Sequence, residues 1–216
     1  MLGGEVRPGQ LFSMSFSGVE IRIFYDTEFC EDGARLDLIS IGLVREDGVE
    51  YYAVNEDVDG ERILANPWLR EHVVPHLPLH KSSGDEGFVL DREDASVKPR
   101  SVISDEVAAF ISTTPRPSLW AWFASFDHVA LTWLFGPMVN MPEGIPMRTN
   151  DLKQEAERLG DPILPEQRSD LHHALADARH NRVVANHLDR LAAPRDLEAL
   201  AWMVRGAPWP FRVDGH

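Results

Sequence analysis

The chain has 216 residues, 44% apolar and 26% charged, with 35 acidic against 21 basic side chains and a formal charge of −14. This length and apolar content suit one globular domain with a sizeable core, whereas the acidic excess argues against a protein that grips long duplexes through many Lys- and Arg-phosphate contacts. No apolar run approaches the roughly 20 residues of a membrane-spanning helix, no secretory signal is visible, and Cys30 is the only cysteine, so no internal disulfide is available and a cytoplasmic setting is expected.

Residues 1–19 carry scattered Gly, Ser and Pro and read as an N-terminal extension, with Met14 as a second candidate start. Arg22–Tyr25 predicts a strand ending at Asp26. Leu36–Val44 predicts a second, whose mixed pattern suits a strand covered on both faces. Glu46-Asp47-Gly48 is a turn signal, and Val49–Val54 follows as a hairpin partner. Asn66–Val74 predicts a helix opening at Pro67 and closing near Pro75. Residues 78–100, rich in Pro, Gly, Ser and charge, predict a long mobile loop inserted in the domain.

Ser104-Asp105-Glu106 predicts the cap of a helix running to about Ser112, with Val107, Phe110 and Ile111 as its apolar stripe. Leu119–Phe123 predicts a buried strand, Phe126–Phe135 a helix, and Asp151–Leu159 a helix stopped by Gly160. Ala174–Leu191 is the strongest helical pattern, and a short helix is expected over Asp196–Arg205. Three meandering strands followed by alternating helices and strands imply a mixed-sheet α/β domain over 20–193, with a C-terminal helix and tail over 194–216.

Three separated clusters carry the chemistry. Asp26 and Glu28 sit in Ile23-Phe24-Tyr25-Asp26-Thr27-Glu28-Phe29. Positions i and i+2 of a strand share a face, and two carboxylates on one face of a buried strand are costly unless a cation neutralises them. Mg²⁺ or Mn²⁺, which prefer carboxylate and water ligands, do so. Alone, such a pair reads equally as a solvated strand end; its apolar frame is what sets it apart. Asp127 follows an apolar strand at a helix start, where capping is the ordinary role of an isolated Asp, and Ser125 is also placed to cap. His172 and Asp177 are five apart, about 500° around a regular helix. They share a site best if His172 lies in the loop just before the helix and Asp177 in its second turn. A loop histidine, with an ordinary pKa near ~6.5, can serve as a base; standing alone, His172 would read as surface polarity beside His173. Together the five fit a phosphodiesterase using two metal ions.

The order Asp-x-Glu, Phe-Asp before a helix, then His-x-x-x-x-Asp resembles the DEDDh 3′–5′ exonucleases of the RNase H-like superfamily. Arg22–Glu28, Glu31-Asp32-Gly33, Asp37–Gly42, Glu50–Val54, Leu119–Trp122, Phe126–Leu131 and Asp177–Asn181 are most similar to the RNase T-like exoribonucleases of mycobacteria and other actinobacteria. The resemblance covers most of residues 20–190. It implies an RNase H-like mixed sheet of five to six strands flanked by helices. It also implies removal of nucleotides from single-stranded or overhanging RNA 3′ ends, release of nucleoside 5′-monophosphates, two Mg²⁺ or Mn²⁺ ions, and pairing into a homodimer. By the same resemblance, Asp26 bridges both metals, Glu28 and Asp177 complete the site of the water-activating metal, Asp127 serves the second, and His172 is the general base. The backbone around Thr27 and Phe29 meets the terminal nucleotide, and the Phe29 ring is the candidate wedge between bases, with core packing as its ordinary alternative. Where many relatives have Asn two residues before Phe-Asp, this chain reads Phe123-Ala124-Ser125. A DNA exonuclease on the same core, and a non-catalytic binder of RNA ends or nucleotides, are the other readings.

Other signals are weaker. His72, His76 and His80 are spaced by four, but Pro75 and Pro78 interrupt the helix that would stack them for zinc. Cys30 reads as a small apolar filler. Trp120 and Trp122 read as core, and Arg179 and Arg182 as a solvated helix face.

Overall fold

The computed structural model describes residues 18–80 and 87–192; the expected 196–205 helix and nearly all of the 1–19 extension lie outside them. Strands β1 (Ile21–Glu31), β2 (Leu36–Arg45), β3 (Glu50–Asn55), β4 (Val97–Lys98), β5 (Pro117–Ala121) and β6 (Asn150–Asp151) form one six-stranded sheet. Their order is β4-β3-β2-β1-β5-β6. The β1–β2 and β2–β3 pairs are antiparallel, as expected of the early meander, and the remaining three pairs are parallel. Helices α1 (Gly60–Ala65), α2 (Pro67–His72), α3 (Arg100–Ser112), α4 (Ser125–Trp133), α5 (Leu152–Arg158) and α6 (Ala174–Ala192) complete the domain. Among the described residues, no helix is long and apolar enough to cross a membrane.

Alternation along β1 divides the core. Ile23 and Tyr25 enter a cluster with Ile103, Val107 and Ile111 of α3 and Leu131 of α4. Phe24 points the other way, into a cluster with Leu152 and Ala156 of α5 and Val184, Ala185 and Leu188 of α6. A third cluster gathers Ile39, Val54, Ile63, Leu69 and Val97. It contains Cys30, which is 6% exposed and packs as the expected filler. Trp120 and Trp122, half-buried, pack against the α5–α6 cluster.

The sequence misplaced several boundaries, each for a local reason. Strand β1 does not end at Asp26. It continues to Glu31 along β2 through a register shift between Glu28 and Phe29. Strand β5 stops at Ala121 rather than Phe123, whose φ of 51° turns the chain out of the sheet. Helix α3 begins at Arg100, a turn before the expected Ser104 cap, because the Asp57 carboxylate accepts the Arg100 N–H at 2.9 Å. The 78–100 segment is not structureless where it is described. Leu79 bridges Leu90, Val97–Lys98 pairs with β3, and Phe88 packs so closely over Gly60 that a Cβ there would lie 2.4 Å from its ring. Helix α2 ends at His72, earlier than expected, and a 3₁₀ turn over Val74–His76 takes up the chain before Pro75 could clash with a continuing helix. Gly160, at φ 84°, ends α5 as its sequence implies.

Two features position a site. Strand β5 pairs with β1 only from Ile21 to Phe24, so the half of β1 carrying Asp26 and Glu28 runs on past its parallel neighbour into an open crevice. Such crevices beyond strand carboxyl ends gather ligands. Opposite Asp26 in β2 stands Gly42, and a Cβ there would lie 2.5 Å from the backbone of Ala174 and Leu175. The missing side chain lets the start of α6 rest on the sheet. Gly42→Ala should therefore lift that helix end, with an overpacking cost of about 1–3 kcal/mol and a fall of roughly 3–10 °C in melting temperature for a domain of this size, checked by calorimetry.

Candidate active site

Strand alternation turns Asp26 and Glu28 to the face occupied by α6, where Phe24 also points. Asp177, in the first turn of α6, meets them there. One turn further on, the buried Asn181 donates to the Tyr25 carbonyl at 3.0 Å, pinning the helix to β1 next to Asp26. Asp177 is itself held twice: Oδ2 accepts the His172 N–H at 2.9 Å, and Oδ1 accepts from Gln167 Nε2 at 2.5 Å.

Asp127 lies in the first turn of α4 but does not cap it, nor does Ser125; that helix has no side-chain cap. The Asp127 carboxylate reaches across to β1, where Oδ1 accepts the Thr27 N–H at 2.9 Å and the Thr27 hydroxyl at 2.7 Å. The helix start is steadied by Asp151, whose Oδ2 accepts the Ala124 N–H at 3.1 Å. Thr27, 5% exposed, thus has its amide and hydroxyl both committed to Asp127.

His172 lies in the loop before α6, as the five-residue spacing demands. Its φ is 65°, a left-handed conformation uncommon outside glycine and concentrated at functional sites. Its neighbour His173 takes a structural place: the ring stacks on Tyr52 with centroids 4.6 Å apart, and Nδ1 accepts the Ala176 N–H at 3.4 Å. Of the two, His172 lines the cleft and His173 does not, so the pair, ambiguous in sequence, is separated by the fold.

All five polar residues line one cleft of about 530 Å³, together with Thr27 and Phe29. Phe29 stacks on Phe126 (6.1 Å between centroids, 18° between planes) and packs against the α3–α4 core, and it also lines the cleft. Arg179 is not turned to the cleft but pairs with Glu50 on β3. His72, His76 and His80 form no metal-binding group among the described residues. Gln167 and Asn181 were not anticipated. Asn181, four residues after Asp177, shares its helix face and was open to detection; Gln167, from an irregular segment, had no periodic signal.

Crowded carboxylates in a half-closed cleft titrate abnormally. Burial, then the neighbouring Asp127, Glu28 and Asp177, pushes Asp26 well above the usual carboxylate range. Burial and then Asp177 and Asp127 raise Glu28 to about 8. Asp127 rises only to about 6, because the two Thr27 hydrogen bonds oppose its burial. Burial lowers His172, favouring the neutral ring a base requires, against the pull of Asp177. No Lys or Arg among the described residues lines the cleft. A divalent cation fits this donor set. Glu28 and Asp177 offer oxygens within 4.8 Å of each other and of a His172 ring nitrogen, and Asp26 and Asp127 line the same cleft.

The mixed six-stranded sheet flanked by helices, with this crevice beyond the end of β5, is an RNase H-like fold. Its fold is similar to Escherichia coli exonuclease I solved with single-stranded DNA, in a zinc-bound form (TM-score 0.55, 14% identity, 84% of this chain and 43% of that one) and a metal-free form (TM-score 0.53, 13% identity, 87% and 42%). The chain thus spans less than half the length of exonuclease I. No protein-family model matches the chain. In sequence it is 44% identical, over 159 residues, to the 3′-5′ exoribonuclease Rv2179c of Mycobacterium tuberculosis strain H37Rv, a match covering 74% of this chain and 88% of that protein. The chain belongs to this family of 3′-5′ exoribonucleases.

The raised carboxylates set a pH dependence. Glu28 has a folded pKa of about 8 against 4.5 when unperturbed, so its contribution to stability is intact below 4.5 and is lost as pH rises toward 8. In EDTA, Glu28→Gln should raise the melting temperature above that of the native chain, by more at pH 8.5 than at pH 6. Mn²⁺ at ~100 times its dissociation constant should stabilise the native chain by about 2.7 kcal/mol, and the variant by much less. A stability advantage of the Glu28→Gln variant that shrinks with rising pH contradicts the assignment.

Proposed function

We propose that the protein is a 3′–5′ exoribonuclease that hydrolyses single-stranded or overhanging RNA 3′ ends to nucleoside 5′-monophosphates, with two divalent cations and His172 as general base. The observation that carries this reading is the convergence of Asp26, Glu28, Asp127, His172 and Asp177, from three distant parts of the chain, in one crevice beyond the end of β5. The family relatives named 3′-5′ exoribonuclease support the reaction class.

In this reading Asp26 would be a ligand to both cations, Glu28 and Asp177 would complete one site, and Asp127 would contribute to the other. Bound Mg²⁺ or Mn²⁺ supplies the positive charge that offsets a phosphodiester and its departing oxygen. The residues of the chain do the rest. His172 accepts the proton of the attacking water, its lowered pKa keeping it unprotonated near neutrality. Thr27 and Gln167 hold Asp127 and Asp177 in their orientations before substrate arrives. The Phe29 ring, backed by Phe126, offers a stacking face to the terminal base.

Replacing Asp26 or Asp177 by Ala should abolish turnover of 3′-labelled RNA while circular dichroism stays native, and EDTA should do the same to the native chain. His172→Ala should slow hydrolysis about 10²–10⁴-fold with metal binding kept; a fully active variant removes the base assignment. Matched RNA and DNA overhangs should be distinguished in favour of RNA, because the 2′-hydroxyl is the group that separates them.

A cleft lined by no described Lys or Arg should bind RNA with little counterion release. A plot of log KM against log salt for single-stranded RNA should have a slope of about 1 or less, given ~0.7 per neutralised phosphate. A slope above about 3 would mean that cationic side chains grip the backbone.

A further inference from the structure

His172 enters the cleft with its ring packed among other rings. Its main-chain N–H is held by Asp177, but among the described residues no hydrogen bond reaches either ring nitrogen. Catalytic histidines are ordinarily oriented by a carboxylate or carbonyl on the far nitrogen. Here the ring is met by other rings. The Trp68 indole lies edge-on to it, with centroids 4.7 Å apart and planes at 74°. His72 lies 5.5 Å away at 56°, and Trp68 and His72 touch each other at 5.1 Å.

Trp68 is well mounted for this contact. The Asn66 side chain accepts its N–H at 3.0 Å at the start of α2. The next residue, Leu69, is 3% exposed and anchored in the third cluster. The helix is therefore fixed by its buried side, while the indole is left 47% exposed at the cleft wall. Water normally penalises such an arrangement of a large apolar ring. The edge-to-face geometry is the favoured one for aromatic pairs.

We infer that Trp68 is a positioning residue for His172, holding the imidazole in the cleft by ring contact in place of a hydrogen bond. The inference rests on the reading of His172 as general base. A base must lie within hydrogen-bond reach of the proton it takes, and misplacement by about 1 Å costs on the order of 10²-fold. The Trp68 contact acts on the chemical step, not on the affinity for RNA.

The test is steady-state hydrolysis of labelled single-stranded RNA by the full chain with Mn²⁺, comparing Trp68→Leu, Trp68→Phe, His172→Ala and the double variant Trp68→Leu/His172→Ala. Trp68→Leu should lower kcat by roughly 10-fold to 10²-fold, with KM within about threefold of native. Trp68→Phe, which keeps a ring edge, should recover most of the rate. On the His172→Ala background, Trp68→Leu should have no further effect, because both changes remove one function. Trp68→Met, which keeps apolar bulk without a flat ring, repeats the comparison should the leucine variant melt early. A raised KM with unchanged kcat would make Trp68 a substrate platform and overturn the inference, as would a loss that adds in full to that of His172→Ala. An impaired His172→Ala beside a native Trp68→Leu sinks this inference alone; a native rate in His172→Ala sinks the base reading and this inference with it.

Discussion

Repulsion among carboxylates is the constraint around which this domain is built. Two unit charges 4 Å apart interact by about 4 kcal/mol at an effective dielectric of 20. A domain is stable by only about 5–15 kcal/mol in total. Four ionised acids in one half-closed cleft are therefore not sustainable without a counter-charge, and no described Lys or Arg lines the cleft wall to supply it. Burial and mutual repulsion accordingly push both Asp26 and Glu28 above the usual carboxylate range. The long central strand, the Asn181–Tyr25 bond and the Thr27–Asp127 pair all hold these groups together against that repulsion.

How the constraint is met shows why some of the site was legible in sequence and some was not. Asp26 and Glu28 were visible because a two-residue spacing within an apolar strand fixes a shared face without further information. The loop position of His172 followed from simple helix arithmetic. The role of Asp127 was visible only as one of two alternatives, because its partner Thr27 lies 100 positions away and no local pattern links them. The length of β1 was underestimated because polar residues in its second half look like a strand end. They are a strand that has outrun β5. The 78–100 segment looked structureless because its few apolar residues, Phe88, Leu90 and Val97, dock on a distant cluster and carry no periodicity of their own.

The division of labour between His172 and His173 illustrates the same limit. Adjacent identical residues have identical propensities, yet a left-handed turn at the first sends one ring into the cleft and the other onto Tyr52. The second histidine closes the start of α6 by accepting a helix N–H, and so supports the helix that carries Asp177. One backbone dihedral thus separates a ring that lines the cleft from a ring packed on the sheet.

The hydrogen atom at Gly42 has a mechanical consequence. Because helix backbone lies directly on that α-carbon, nothing compressible separates the two layers. Twisting of the sheet must carry the helix along, and with it the acid at its tip, rather than letting one slide over the other. The contact couples the strand side and the helix side of the crevice, so that a displacement of one is passed directly to the other.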